Sequence, residues 1–127
     1  MAKVTGVGGV FFKSKSDRKA LAAWYQKHLG FDVADWGGAI FSWPNDPGKD
    51  EGVTVWHVAD AATKWFAPSE ASFMINYRVD DLDALIEQLR ADGVEIVGGP
   101  DTAENGKFAW ILDLDGNKVE LWEPAAG

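Results

Sequence analysis

The hydrophobic pattern of the chain predicts two amphipathic helices, each preceded by a strand. Between residues 17 and 30, apolar side chains recur at spacings of three and four, the stripe that a packed helix buries. The same spacing recurs between residues 81 and 93. Residues 9–13 and 74–78, which precede these helices, are rich in residues that favour strands. Each half of the chain therefore begins with a strand and a helix.

The ends of both helices carry residues that are typical of helix termini. A side-chain oxygen before the first turn can accept hydrogen bonds from free backbone amides, and the candidates are Ser16 or Asp17 and Asp80 or Asp81. Gly30 and Gly93 follow the helices, and glycine readily takes the left-handed conformation that ends a helix.

The segments after the helices also match between the two halves. Residues 30–33 resemble 93–96, residues 39–43 resemble 107–112, and residues 53–56 resemble 119–122. Each half is thus predicted to be a strand, a helix and three strands. The chain, residues 1–127, is predicted to form a single domain of two modules, at about residues 4–58 and 72–123, joined by a linker at 59–71. The turn-forming residues of segments 44–52 and 115–117 predict loops, the second within a hairpin.

Three segments resemble motifs of the vicinal oxygen chelate superfamily, the glyoxalase/bleomycin resistance protein/dioxygenase family. They are Ala-Trp-Tyr-Gln-Lys-His-Leu-Gly-Phe at 23–31, Arg-Val-Asp-Asp-Leu-Asp at 78–83 and Asp-Leu-Asp-Gly-Asn-Lys-Val-Glu-Leu at 113–121. The resemblance implies an α+β fold in which two βαβββ modules form an eight-stranded, open, barrel-like cup with the helices outside.

The resemblance also implies four positions for the ligands of a divalent metal inside the cup. Family members that use a metal place His or Gln on the first strand of each module and Glu on the last. The matching positions here are Gly9 (or Val10), Thr54, Met74 and Glu120. Only Glu120 offers an oxygen to a hard cation, and one carboxylate does not hold such an ion against water. We therefore expect neither a metal ion nor another cofactor.

Strand alternation predicts which side chains face the cup. The expected inward set is aromatic with a few polar groups, a composition typical of small-molecule sites: Phe11, Lys13, Thr54, Trp56, Met74, Asn76, Arg78, Glu120 and Trp122. His57 is expected to point toward the helices. Two interpretations of the aromatic residues remain open, stacking on a ligand and filling the cup or a dimer interface. Glu120 is either a functional group or a carboxylate hydrogen-bonded to a neighbouring strand or to a cation such as Arg78.

Composition and charge narrow the classes of function. The 127 residues include no cysteine and only two histidines, which excludes disulfides and a Cys/His zinc site. The net charge is −8, and residues 64–127 carry thirteen acidic and five basic side chains. Such a field repels phosphate backbones and argues against nucleic acid as a partner. The sequence contains neither a membrane span nor a signal peptide, so we expect a cytoplasmic chain.

Three hypotheses for the function follow. The leading one is a small-molecule-binding protein without the usual metal, forming a homodimer as the resemblance implies. The alternative is an enzyme related to glyoxalase-like lyases, isomerases or ring-cleaving dioxygenases. In it Glu120 would be the general base or a residual metal ligand, and Asn76 or Arg78 would bind an oxyanion. The third is a structural or regulatory subunit whose cup is filled by Phe11, Trp56, Met74 and Trp122.

Overall fold

A computed structural model describes residues 2–43 and 52–125 of the chain. These residues form seven strands and two helices in the order β1 (Val4–Lys13), α1 (Arg18–Leu29), β2 (Gly38–Trp43), β3 (Gly52–Ala59), β4 (Phe73–Val79), α2 (Leu82–Ala91), β5 (Ile96–Ala103), β6 (Gly106–Leu112) and β7 (Lys118–Pro124). Most of the loop predicted at 44–52 lies outside the described residues.

Both helices begin and end as their sequences predict. The side chain of Asp17 accepts hydrogen bonds from the amides of Lys19 and Ala20, at 3.0 and 3.2 Å. The side chain of Asp81 accepts one from the amide of Ala84, at 3.1 Å. These bonds satisfy free amides of the first helical turns. Gly30 and Gly93 follow with φ angles of +71° and +80°, where a residue with a Cβ would be strained.

The seven strands form one mixed sheet in the order β2-β3-β1-β4-β7-β6-β5. The first strand of each half lies parallel to the last strand of that half, β1 to β3 and β4 to β7. The two halves join where β1 pairs with β4 in antiparallel orientation. Within the described part of the chain β2 and β5 are the edges, so the sheet is not closed.

The predicted count of eight strands is wrong for the described residues. The missing strand is the one expected at residues 30–33, which matched the start of β5 in the second half. The segment instead has no regular structure and leads into a turn at residues 35–37, where the amide of Ala34 donates to the carbonyl of Gly38 at 2.8 Å. Phe31 then packs its ring on Tyr25 and Trp56. The aromatic residue contributes to the core without pairing its backbone with a strand.

Both helices pack on the same face of the sheet. Helix α1 contributes Leu21 and Tyr25 to a cluster around Trp56 and Val58. Helix α2 buries Leu82, Leu85 and Ile86 against Val79, Ala109 and Leu121. Because strand side chains alternate, the neighbours of these residues point to the opposite face. We call that opposite surface the helix-free face; it bears Val55, Asn76, Trp110 and Glu120.

Candidate functional site

One row of paired residues crosses the helix-free face from the edge strand β2 to β6. Backbone register places Ile40 beside Val55, Val55 beside Gly9, Gly9 beside Asn76, Asn76 beside Glu120, and Glu120 beside Trp110. Paired residues on adjacent strands point to the same face. Six strands therefore bring these side chains together, and we call the set Ile40, Val55, Gly9, Asn76, Glu120 and Trp110 the Glu120 row.

A cavity of about 640 Å³ lies over the Glu120 row. Its volume falls in the range of small-molecule sites, about 300–1,000 Å³. Val55, Phe11 and the rings of Trp65, Phe108, Trp110 and Trp122 supply an apolar wall. Asn76 and Glu120, 3 % and 4 % exposed, are the buried polar residues of its floor. The cavity shows that the cup is not filled by its aromatic side chains, as the structural-subunit hypothesis required.

The carboxylate of Glu120 is held by two side-chain donors. Asn76 Nδ2 donates to Oε1 at 2.6 Å, and Trp110 Nε1 donates to Oε2 at 2.8 Å. Burial raises the pKa of Glu120, while the two hydrogen bonds and the nearby charge of Lys118 oppose that rise. Arg78, the neighbour suggested by the sequence, is not among these partners.

Lys118 links the cavity wall to the segment between β3 and β4. Its Nζ donates to the carbonyl of Trp65 at 2.7 Å and lies 5.7 Å from the ring centroid of Trp110. Burial lowers the pKa of Lys118, and the charge of Glu120 opposes that shift. The contact fixes Trp65 against the β7 side of the cavity.

Three aromatic rings line one side of the cavity in nearly parallel planes. Phe108 lies between Trp110 and Trp122, with interplanar angles of 15° and 8° and centroid distances of 6.5 and 6.2 Å. These gaps are too narrow to admit a further ring, so a planar ligand would lie against the outer face of the wall. The wall is apolar at its surface and positioned by the β6–β7 hairpin.

The structure brings four of the predicted inward residues to the cavity: Phe11, Asn76, Glu120 and Trp122. Met74 points to the same face of the sheet but is wholly buried in a cluster with Phe66. Lys13 lies over the ring of Phe66, at 5.6 Å. Thr54 and Arg78 line a smaller pocket of about 230 Å³ that also includes Thr5 and Val7.

The expected inward direction of Thr54 and Trp56 is wrong. Trp56 packs among the residues beneath helix α1, and Thr54 donates its hydroxyl hydrogen to the carbonyl of Val7. The cause is register: Val55, not Thr54, pairs with Gly9 as Glu120 pairs with Asn76. A shift of one residue moves a strand side chain to the other face.

His57 also differs from its expected direction, since its neighbour Trp56 takes the helix face. The His57 ring packs on Phe11 and Trp65, with centroids 6.1 and 5.8 Å away. Burial and, to a lesser degree, the positive charge of Arg18 lower the pKa of His57. His57 therefore lies behind the cavity wall, beside a separate pocket of about 280 Å³.

Sequence reasoning missed Trp110, the second donor to Glu120, and Trp65 in the linker. A signal for Trp110 was present in the hairpin predicted at 115–117. When residue pairs are counted outward from that turn, Leu112 lies opposite Lys118 and Trp110 lies opposite Glu120, as observed. Trp65 had no such signal, because the path of a linker over a sheet depends on tertiary packing.

The Glu120 row contains one carboxylate and one amide that could coordinate a divalent cation. At the four positions related by register, Gly9 and Val55 offer no side-chain ligand, Asn76 offers one amide and Glu120 one carboxylate. Trp110 presents an N–H, which cannot coordinate a metal. Within residues 2–43 and 52–125, no group of three or more His, Cys, Asp or Glu side chains is placed to hold a metal ion.

The chain matches a family model over most of its length. The model of the Glyoxalase/Bleomycin resistance protein/Dioxygenase superfamily matches residues 14–121. The chain belongs to this superfamily. No curated protein matches it. The match covers both helices and most of the Glu120 row, and it confirms the resemblance found in the motifs.

Solved structures of this superfamily share the fold. A variant of methylmalonyl-CoA epimerase from Streptomyces coelicolor, in complex with 2-nitronate-propionyl-CoA, has 20 % identity and a TM-score of 0.71, covering 98 % of this chain and 100 % of its own. The epimerase from Mycobacterium tuberculosis has 24 % identity and a TM-score of 0.61, covering 97 % and 90 %. A superfamily member from Vibrio splendidus has 14 % identity and a TM-score of 0.58, covering 97 % and 99 %.

Neither helix in the described part of this glyoxalase-superfamily chain has the length and apolar character needed to cross a membrane.

Replacing Glu120 by glutamine should change how stability depends on pH. Because burial raises the pKa of Glu120, the folded chain keeps this proton at pH values where the unfolded chain has lost it. The contribution of Glu120 to stability is therefore full below the ordinary pKa of 4.5 and is lost as pH rises through the folded value. Glutamine does not ionise, so the variant should gain stability relative to wild type as pH rises.

Urea denaturation of both proteins between about pH 4 and pH 8 measures this difference. Glu87→Gln, on the exposed side of α2, is the matched control and should follow wild type at every pH. A constant difference between Glu120→Gln and wild type would contradict the burial of an ionisable carboxyl at this position.

Proposed function

We propose that this chain is a small-molecule-binding protein that works without a divalent metal ion. The observation that carries the proposal is the cavity over the Glu120 row, with aromatic rings on its wall and two polar side chains on its floor. This composition suits a planar, largely apolar ligand held by a few directional hydrogen bonds.

Metal independence is supported by the hydrogen bonds that already occupy Glu120. Both of its oxygens accept a bond from a side chain of the protein, at 2.6 and 2.8 Å. Each oxygen is left with one further lone pair, and a cation at this point would have to complete its coordination without a second carboxylate. Purified protein should therefore contain less than a stoichiometric amount of zinc, nickel, iron or manganese by elemental analysis. One metal ion per chain would refute this part of the proposal.

An enzymatic role for Glu120 is the second candidate. It is favoured by one observation, a carboxyl group of raised pKa that lines a cavity. The hydrogen bonds from Asn76 and Trp110 weigh against it, because they oppose the rise in the pKa of Glu120 and leave each oxygen only one lone pair for a substrate. The similar epimerase structures make methylmalonyl-CoA a suitable probe. We expect no deuterium incorporation into it in D₂O beyond that seen with the Glu120→Gln variant.

The binding proposal can be tested by nuclear magnetic resonance on protein with ¹⁵N-labelled tryptophan. The seven indole N–H signals report on different parts of the fold. Planar bicyclic aromatic compounds should shift the signals of Trp65, Trp110 and Trp122, which line the cavity. Those of Trp24 and Trp36, which are exposed elsewhere, should stay in place. Uniform shifts of all signals, or none from a diverse panel, would refute binding in this cavity.

The module boundaries at residues 4–58 and 72–123, the single-domain organisation and the homodimer stay predictions. Size-exclusion chromatography with light scattering measures the oligomeric state directly.

A further inference from the structure

The hydrogen bonds around Glu120 fix which way the Asn76 amide points. Trp110 Nε1 carries a hydrogen and can only donate, and it occupies Oε2 of Glu120. The remaining oxygen, Oε1, accepts from Asn76 at 2.6 Å. When Glu120 is ionised, its carboxylate has no hydrogen to give, so the amide turns its NH₂ group toward it. The carbonyl oxygen, Asn76 Oδ1, therefore points away from Glu120.

Asn76 Oδ1 is buried and has no hydrogen-bond partner. It lies over Gly8, at the place that a Cβ on residue 8 would occupy, so any residue other than glycine would displace it. Both Asn76 and Gly8 line the cavity. Buried polar oxygens are normally paired, because leaving one unpaired is unfavourable. The floor of the cavity thus holds an acceptor that still needs a donor.

We propose that the ligand of this cavity places an N–H or O–H donor on Asn76 Oδ1. The inference rests on the proposed binding function and narrows the ligand to a class: planar aromatic compounds that carry a ring N–H, an amino group or a hydroxyl. Because Oδ1 is buried against Gly8, the proposal requires the Asn76 side chain to rotate so that Oδ1 meets the ligand in the cavity. Glu120 then acts as a positioning residue, because it orients the amide without contacting the donor.

This arrangement predicts that Glu120→Gln reverses the preference of the site. Trp110 would still donate, so the glutamine oxygen must take the place of Oε2. The glutamine NH₂ would then face Asn76. To accept a hydrogen bond from it, the Asn76 amide must turn its oxygen toward the glutamine. The amide of Asn76 would present its NH₂ group to the cavity, and the floor would change from an acceptor to a donor.

Three neutral bicyclic probes of similar shape test the proposal: indole, a donor; isoquinoline, an acceptor; and benzothiophene, which is neither. Titration calorimetry should show that wild type binds indole at least about tenfold more tightly than benzothiophene. In Glu120→Gln that advantage should disappear, and isoquinoline should bind about tenfold more tightly than benzothiophene. Glu87→Gln removes the same charge outside the site and should keep the wild-type order.

The outcomes separate this inference from the proposed function. Binding of all three probes with equal affinity to wild type, with shifts of the cavity tryptophans, overturns the inference and leaves binding intact. If Glu120→Gln still prefers indole to benzothiophene, the inference is also overturned, because the indole N–H would then bind an acceptor other than Asn76 Oδ1. No binding of any probe counts against the proposed function itself. Should the glutamine variant fail to fold by circular dichroism, the wild-type comparison of indole with benzothiophene decides.

Discussion

Replacing Phe66 by alanine is expected to lower the free energy of unfolding by about 3–5 kcal/mol. Phe66 is wholly buried in a cluster with Phe11, Ala59 and Met74, which joins the segment after β3 to strands β1 and β4. Removing the ring leaves a void that this cluster cannot fill without moving a strand. Urea denaturation with an unchanged m-value measures the loss.

Phe73→Ala is the matched control for this substitution. Phe73 lies at the start of β4 but is 38 % exposed, so its removal should cost less than about 1.5 kcal/mol. Equal losses for the two variants would mean that the segment carrying Phe66 is not packed as described. The cavity would then lack the support behind Trp65, whose ring lies 5.7 Å from that of Phe66.

Replacing Trp110 by phenylalanine is expected to destabilise the fold by about 2–3 kcal/mol. Phenylalanine keeps an aromatic ring in the wall but removes the N–H that donates to Glu120 Oε2 at 2.8 Å. A buried carboxylate oxygen then lacks its partner, and the pKa of Glu120 should rise further, since one opposing interaction is gone. The destabilisation should therefore grow as pH rises, which urea denaturation across pH values measures.

Trp122→Phe provides the control, because it makes the same change in the same aromatic wall. The indole of Trp122 donates to the carbonyl of Asn105 at 2.8 Å, in an exposed hydrogen bond that water can replace. We expect a loss below about 1 kcal/mol that does not depend on pH. If Trp122→Phe matched Trp110→Phe in size and pH dependence, the loss would come from packing and not from Glu120.

Local signals predicted most of the elements because the residues that decide them are neighbours in sequence. Asp17 and Asp81 cap helices that their own adjacent apolar stripes define. The strand expected at 30–33 failed for the opposite reason. Phe31 can belong to a strand only if its backbone pairs with another part of the chain. Its ring packs beside Trp56 without such a pairing.

The candidate site was predicted in part. Glu120, Asn76, Phe11 and Trp122 line the cavity as alternation and the family resemblance implied. Thr54 and Trp56 do not, because matching the halves by sequence left β3 one residue out of register with β7. Side-chain direction has a period of two, so an error of one residue reverses it completely.

The sequence by itself determined the superfamily, the helix boundaries and the turn of the last hairpin. All of these depend on contacts within a few residues of each other or within one hairpin. Only the tertiary structure decided that Val55, Gly9 and Asn76 share a row with Glu120, and that Trp65 lines the cavity over it. It also decided the direction of the Asn76 amide. These features involve strands that are far apart in sequence. The positions of their side chains are set by pairing register and by hydrogen-bond donors on other strands, and not by local propensity.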